Sequence, residues 1–212
     1  MWPLNPGNVR RVLCLGAHSD DIEIGCGGTI LRLAELVPDL EVCWVVFSAP
    51  GQRSSEAKNS AENFLGKNAR HTVKIGAFRE SYFPSEWASI KDWFEEIRTG
   101  FTPDLVLTHF RDDRHQDHRV ISDLAWNTFR SHLVLEYEIP KYDGDLGRPN
   151  LYVNLPESVA RNKVEILMQH FKTQQSKHWF TEDLFLGLMR IRGIEAASQY
   201  AEAFHSRKLV LA

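Results

Sequence analysis

The stretch "VRRVLCLGAHSDD" spans residues 9–21 and changes character halfway. Its first eight residues are mainly apolar and rich in valine and leucine, which reads as a short buried strand. The remainder places His18, Asp20 and Asp21 where that strand ends. Burying such charge costs several kcal/mol unless something compensates it. The compensation is either a hydrogen-bond network or a metal ion.

Three further stretches share the strand pattern: "EVCWVVFS" (41–48), "DLVLTHF" (104–110) and "LVLEYEI" (133–139). Helical periodicity lies between them. Residues 22–36 carry Ile22, Ile30, Leu33 and Ala34 on one side, continued by Val37. Residues 54–65 open with Ser54 and Ser55 as caps and run into Ala57, Ala61, Phe64 and Leu65. Residues 117–130 hold Ile121, Leu124, Ala125, Thr128 and Phe129 in helical register. Two more helices are expected near 156–171, with Pro156 in its first turn, and 181–198, with Thr181 as N-cap.

Strands alternating with helices predict an α/β fold, a Rossmann-like three-layer sandwich with a mainly parallel sheet. Ligands bind such sheets beyond the carboxyl ends of the strands. "GAHSDD" (16–21) and "THFRDDRHQDH" (108–118) both follow strands, so both fall on that edge.

At 212 residues, the chain is expected to form one domain over 1–212. A composition of 43% apolar and 25% charged residues excludes disorder, and a net charge of −3 gives no footprint for nucleic acid. Cys14, Cys26 and Cys43 show no paired spacing and suit a reducing, cytoplasmic compartment. The start, "MWPLNPGNVRR", lacks a signal-peptide core, and no run approaches the ~18–20 apolar residues of a membrane span.

His18, or an aspartate beside it, has a bland reading alone: a satisfied histidine, a helix cap. The second cluster adds His115, Asp117 and His118 within four residues. Two nitrogens and a carboxylate oxygen around an open position form a catalytic zinc pattern. Mg²⁺ or Ca²⁺ prefers a cage of oxygens, so a late metal is favoured.

"AHSDDIEIGCGGTI" (17–30) with "HQDHR" (115–119) resembles the PIG-L (LmbE-like) family of zinc-dependent N-deacetylases. That family bears an A-H-x-D-D segment near its start and an H-x-D-H segment further on. "RSSEA" (53–57) is similar to its R-x-x-E element, and "RGIEAASQYAEAF" (192–204) to its C-terminal segment. Ser19 and Ile22 stand where relatives usually carry proline and glutamate, with Glu23 one residue later. "RDDR" (111–114) supplies no tyrosine before the second motif.

The resemblance implies one Zn²⁺ per chain held by His18, Asp21 and His118, with Asp20 as general base and His115 facing the developing oxyanion. It implies an N-acetylated amino sugar, GlcNAc-like, as substrate, Arg53 as a substrate contact, and a possible homo-oligomer. The chemistry suits these residue types. Asp20 neighbours a ligand and is free to take a proton. His115 can donate to an oxyanion if protonated. Asp117 is expected to favour that protonated form, to orient a neighbouring imidazole, or to cap the helix. A sugar- or metal-binding protein without turnover, or a zinc hydrolase of another amide or ester, are the alternatives.

"GCGG" (25–28) lacks the spacing of a phosphate loop, so close packing or an approach to substrate explains it better. His109, His132, His170, His178 and His205 have no partner spacing and read as structural or exposed. Residues 136–152 read as a loop reaching over the pocket.

Overall fold

A computed structural model describes residues 9–66 and 69–210. The start read as leaderless lies mostly outside them. Five parallel strands form the body of the sheet: β1 (Arg11–Gly16), β2 (Glu41–Val46), β3 (Arg70–Ile75), β4 (Leu105–His109) and β5 (Leu133–Tyr137). Two more complete it, β6 (Leu151–Leu155) and β7 (Tyr200–His205), β7 being antiparallel to both neighbours. The order is β3-β2-β1-β4-β5-β7-β6. The chain thus leaves β1 towards one side for β2 and β3, then returns to its other side for β4. The crevice between β1 and β4 is the switch point at which such sheets bind ligands.

The helices are α1 (Asp21–Leu36), α2 (Gln52–Leu65), α3 (Trp87–Gly100), α4 (Gln116–Phe129), α5 (Glu157–His170) and α6 (Glu182–Glu195). Strand side chains alternate between faces, so each sheet face builds its own core. Val12, Cys14, Trp44 and Leu107 pack with α1, α2, α5 and α6. Leu13, Leu15, Val45 and Val106 pack with α3 and α4. The three-layer sandwich expected from the sequence is observed.

The differences are local. Helix α2 begins at Gln52 behind Gly51, so Ser54 and Ser55 lie inside its first turn and do not cap it. Pro156 is the N-cap of α5, and α6 ends at Glu195, releasing 200–205 to β7. Thr181 caps α6 as expected, its hydroxyl accepting from the Leu184 N–H at 3.3 Å. Helix α3 and strands β3, β6 and β7 were not foreseen.

"GCGG" lets α1 press onto the sheet. A Cβ on Gly25 would stand 2.1 Å from the Tyr137 ring. The N–H groups of Gly28 and Thr29 donate to Glu202 at 2.8 and 2.6 Å, and Lys163 Nζ joins the same carboxylate at 2.6 Å. Gly25→Ala is expected to lower stability by about 1–3 kcal/mol, as overpacking does, despite its gain in helix propensity. Urea unfolding decides this; an unchanged midpoint would show that the Tyr137 ring yields freely.

Candidate metal centre

His18 follows β1, and Asp21 opens α1. His109 is the last residue of β4, and His115 and His118 belong to the start of α4. The fold brings all five together. His18 Nδ1 lies 3.2 Å from His118 Nε2 and 3.4 Å from Asp21 Oδ2, and His118 Nε2 lies 3.6 Å from Asp21 Oδ1. Donors sharing a tetrahedral ion at ~2.0–2.1 Å stand about 3.3–3.4 Å apart. The two imidazole nitrogens lie near that spacing, while Asp21 turns a different oxygen to each of them.

The outer nitrogens of both rings face carboxylates. His118 Nδ1 faces Asp113 Oδ2 at 2.9 Å, and His18 Nε2 faces Asp117 Oδ2 at 3.1 Å. Each carboxylate draws the ring proton to its own side, as partners of metal-bound histidines do. Two lone pairs, on His18 Nδ1 and His118 Nε2, are then left facing each other beside a carboxylate. Such an arrangement needs a cation or a shared proton.

Electrostatics agree. Burial alone would lower the His18 pKa, but Asp21 and Asp117 outweigh it and raise it to about 10. Burial, with the charge of His109, pushes His118 down to about 3 despite Asp21 and Asp113. One positive charge between the two rings satisfies both. Burial would raise the Asp21 carboxyl, yet His118, His109 and His18 hold it well below the usual carboxylate range.

Asp20 occupies the N-cap position of α1 without making a cap hydrogen bond, which removes its bland reading. Its nearest cation is Arg53, 3.6 Å away. Burial, then the Asp21 charge, raise the Asp20 pKa, while Arg53 and His18 oppose them. With no cap bond to its own helix, and no hydrogen bond to its side chain from the described residues, this buried carboxylate is free to exchange a proton.

Arg53 is mostly buried and directed inward. Its Nε donates to Ser19 Oγ at 3.0 Å and its Nη1 to Glu80 at 2.6 Å. Asp117 is no helix cap. It accepts from the N–H groups of Ser81 and Phe83 at 2.6 and 3.2 Å, clamping that loop while it orients His18. The cap is His115, whose Nδ1 accepts from the Asp117 N–H at 3.2 Å. Burial, then the His18 charge, lower the His115 pKa. Protonation is therefore not needed for its expected role: with Nδ1 accepting, neutral His115 carries its proton on Nε2 and can donate from there.

Two residues of the centre escaped the sequence reading. His109, read as structural or exposed, is fully buried. Its Nε2 accepts from the Ala17 N–H at 2.9 Å and lies 3.3 Å from Asp21 Oδ2. With Asp21 and His118 it forms a second potential ligand group, overlapping that of His18, His115 and His118. Its only signal was its place at the carboxyl end of a strand. Asp113 accepts from the His115 N–H at 2.7 Å as well as from His118, and so sets both histidines.

Comparison with known proteins follows this geometry. A family model described as "PIG-L: GlcNAc-PI de-N-acetylase" matches residues 13–129, which hold every candidate residue above. The "Uncharacterized deacetylase YaiS" of Escherichia coli is 26% identical over 181 residues, covering 79% of this chain and 94% of that protein. The structure of N,N'-diacetylchitobiose deacetylase from Pyrococcus horikoshii superposes with a TM-score of 0.72 at 20% identity, over 94% of this chain and 84% of that one. That of GalB, the 4-carboxy-2-hydroxymuconate hydratase of Pseudomonas putida, does so at 0.75 and 18%, over 96% and 98%. At such identities these likenesses establish the fold.

Proposed function

The chain belongs to the PIG-L (GlcNAc-PI de-N-acetylase) family, and from that premise we propose that it is a zinc-dependent N-deacetylase of an N-acetylated, GlcNAc-like amino sugar or glycoconjugate. The observation that carries this reading is the pair of facing nitrogens, His18 Nδ1 and His118 Nε2, beside Asp21 and an Asp20 carboxylate that makes no cap bond to its own helix. His18, Asp21 and His118 would hold the ion. Bound there, it supplies Lewis acidity, polarising the amide carbonyl and making water a stronger acid.

The remaining steps belong to side chains. Asp20 takes the proton of the attacking water and returns it to the departing amine; its raised pKa serves the second transfer. His115 donates from Nε2 to the carbonyl oxygen as charge develops. Asp113 and Asp117 fix the imidazoles of His118 and His18. Three free, buried thiols support action in the cytoplasm, and no helix of the described residues is long and apolar enough to cross a membrane.

The likeness to GalB shows that this fold also serves a hydratase, so the test must read the acetyl group itself. Zinc-loaded protein is expected to release acetate and free amine in equal amounts from N-acetylated amino sugars. No acetate from free, glycosidic or nucleotide-linked forms, with zinc bound, would overturn the proposal.

Arg53 contacts substrate in this reading and also holds Asp20 towards its charged form. Arg53→Ala is expected to raise KM with zinc content intact. Removing the cation raises the Asp20 pKa, so the acid limb of the kcat/KM profile moves to higher pH. An unaltered KM and pH profile would leave Arg53 a structural partner of Glu80.

A further inference from the structure

The Asp113 carboxylate is held on both oxygens, and one of its holders has no part in the chemistry described above. Its Oδ1 accepts from the His115 N–H at 2.7 Å. Its Oδ2 faces His118 Nδ1 at 2.9 Å and also the ammonium of Lys141 at 3.0 Å. Lys141 belongs to the connection between β5 and β6, residues 138–150, and its side chain is only 9% exposed.

An ammonium has three donors, and each of these finds an oxygen. Besides facing Asp113, Lys141 Nζ donates to Asp145 Oδ2 at 2.5 Å and to the Ile139 carbonyl at 3.5 Å. Asp145 Oδ2 in turn accepts from the Arg114 N–H at 2.6 Å. The network therefore closes on itself. It leaves the 113–115 turn through Asp113, crosses Lys141 and Asp145, and returns at Arg114. Burial makes its geometry strict, because a partner displaced from such a network leaves an uncompensated charge.

What the network fixes is one carboxylate oxygen. That oxygen carries two lone pairs, so Oδ2 can accept from Lys141 and His118 together. The His118 Nδ1–H then has a stationary acceptor, which sets the plane of the ring and turns its Nε2 towards His18 Nδ1 and Asp21. Asp113 stands between β4 and α4 and belongs to neither, so no helix or strand holds it in place.

We propose that Lys141 is a positioning residue for the metal centre: by holding Asp113 Oδ2 it orients His118, and so raises the affinity for the ion without being a ligand. The inference rests on the metal-centre reading above.

Removing Lys141 alone would also change the local charge. The test variant is therefore Lys141→Met with Asp145→Asn, which removes one charge of each sign. Cobalt(II) is the probe, since its visible absorption reports both how tightly the ion binds and how its donors are arranged. The double variant is expected to bind cobalt about threefold to tenfold more weakly, a smaller loss than that from Asp113→Asn, and with an altered spectrum. On an Asp113→Asn background the same two substitutions are expected to cause no further loss. Unchanged affinity and spectrum would overturn the role of Lys141, even if the metal-free variant unfolds at a lower temperature, because that result marks a purely structural ion network. An equal loss on the Asp113→Asn background would overturn it too, since the effect would not pass through Asp113. Should the unsubstituted protein bind neither cobalt nor zinc, the metal-centre reading itself fails, and this inference with it.

Discussion

Asp20→Asn is expected to lower kcat by about 10²–10⁴-fold, the usual contribution of a positioned general base, with little change in KM. The substitution keeps size and removes basicity. Among the described residues Asp20 makes no side-chain hydrogen bond that an amide would break, and Arg53, 3.6 Å away, keeps Ser19 and Glu80 as partners. Fold and zinc content are therefore expected to survive. Asp20 is also the position that divides an enzyme from a sugar- or metal-binding protein of the same fold, because a binder has no use for a free carboxylate beside its ligands. His115→Ala is expected to lower kcat separately, through the lost donor at the carbonyl oxygen. Near-normal kcat in zinc-loaded Asp20→Asn would show that another group activates the water, His115 being the first to examine.

The two ends of the centre were legible because each lies in a run of polar residues directly after an apolar strand. His18, Asp20 and Asp21 stand together, as do His115, Asp117 and His118, and the strand pattern assigns both to one edge of the sheet. His109 was not legible. A single histidine closing "DLVLTH" carries no spacing, and only the pairing of β4 beside β1 brings it to Asp21. Asp113, inside "RDDR", reads as solvated loop until Lys141, distant in sequence, is found neutralising it. Strand β7 is disguised by Glu202, a buried charge in the middle of "YAEAFH", tolerated because Lys163 and two α1 N–H groups surround it. Strand β3, "RHTVKI", lies at the sheet edge with only partial burial, and its pattern is correspondingly weak. Helix α3 buries only Ile90, Phe94 and Ile97, a narrow stripe within a mostly charged and polar segment.

Removing either imidazole of the facing pair is expected to abolish stoichiometric zinc binding. His118→Ala leaves His18 Nδ1 and Asp21, one nitrogen and one carboxylate, where the donor set needs a third ligand. His18→Ala leaves His118 and Asp21, and zinc retained by this variant alone would identify His109, 3.3 Å from Asp21, as the third donor. Asp113→Asn is expected to act more gently. It retains the ligand but surrenders the charge that orients His118, a change typically worth 10–100-fold in metal affinity. The ranking, with both histidine variants below Asp113→Asn and that below the unsubstituted protein, is what separates a metal centre from a hydrogen-bond network. Elemental analysis and competition with a chelator measure it directly. Thermal unfolding gives a readout independent of turnover, since an ion bound only to the folded chain raises Tm by an amount that grows with the logarithm of its affinity. Added zinc should therefore raise Tm for the unsubstituted protein and leave His118→Ala where it was. Unchanged zinc content in both histidine variants would sink the ligand assignment, and His109 with Asp21 would become the next donors to test.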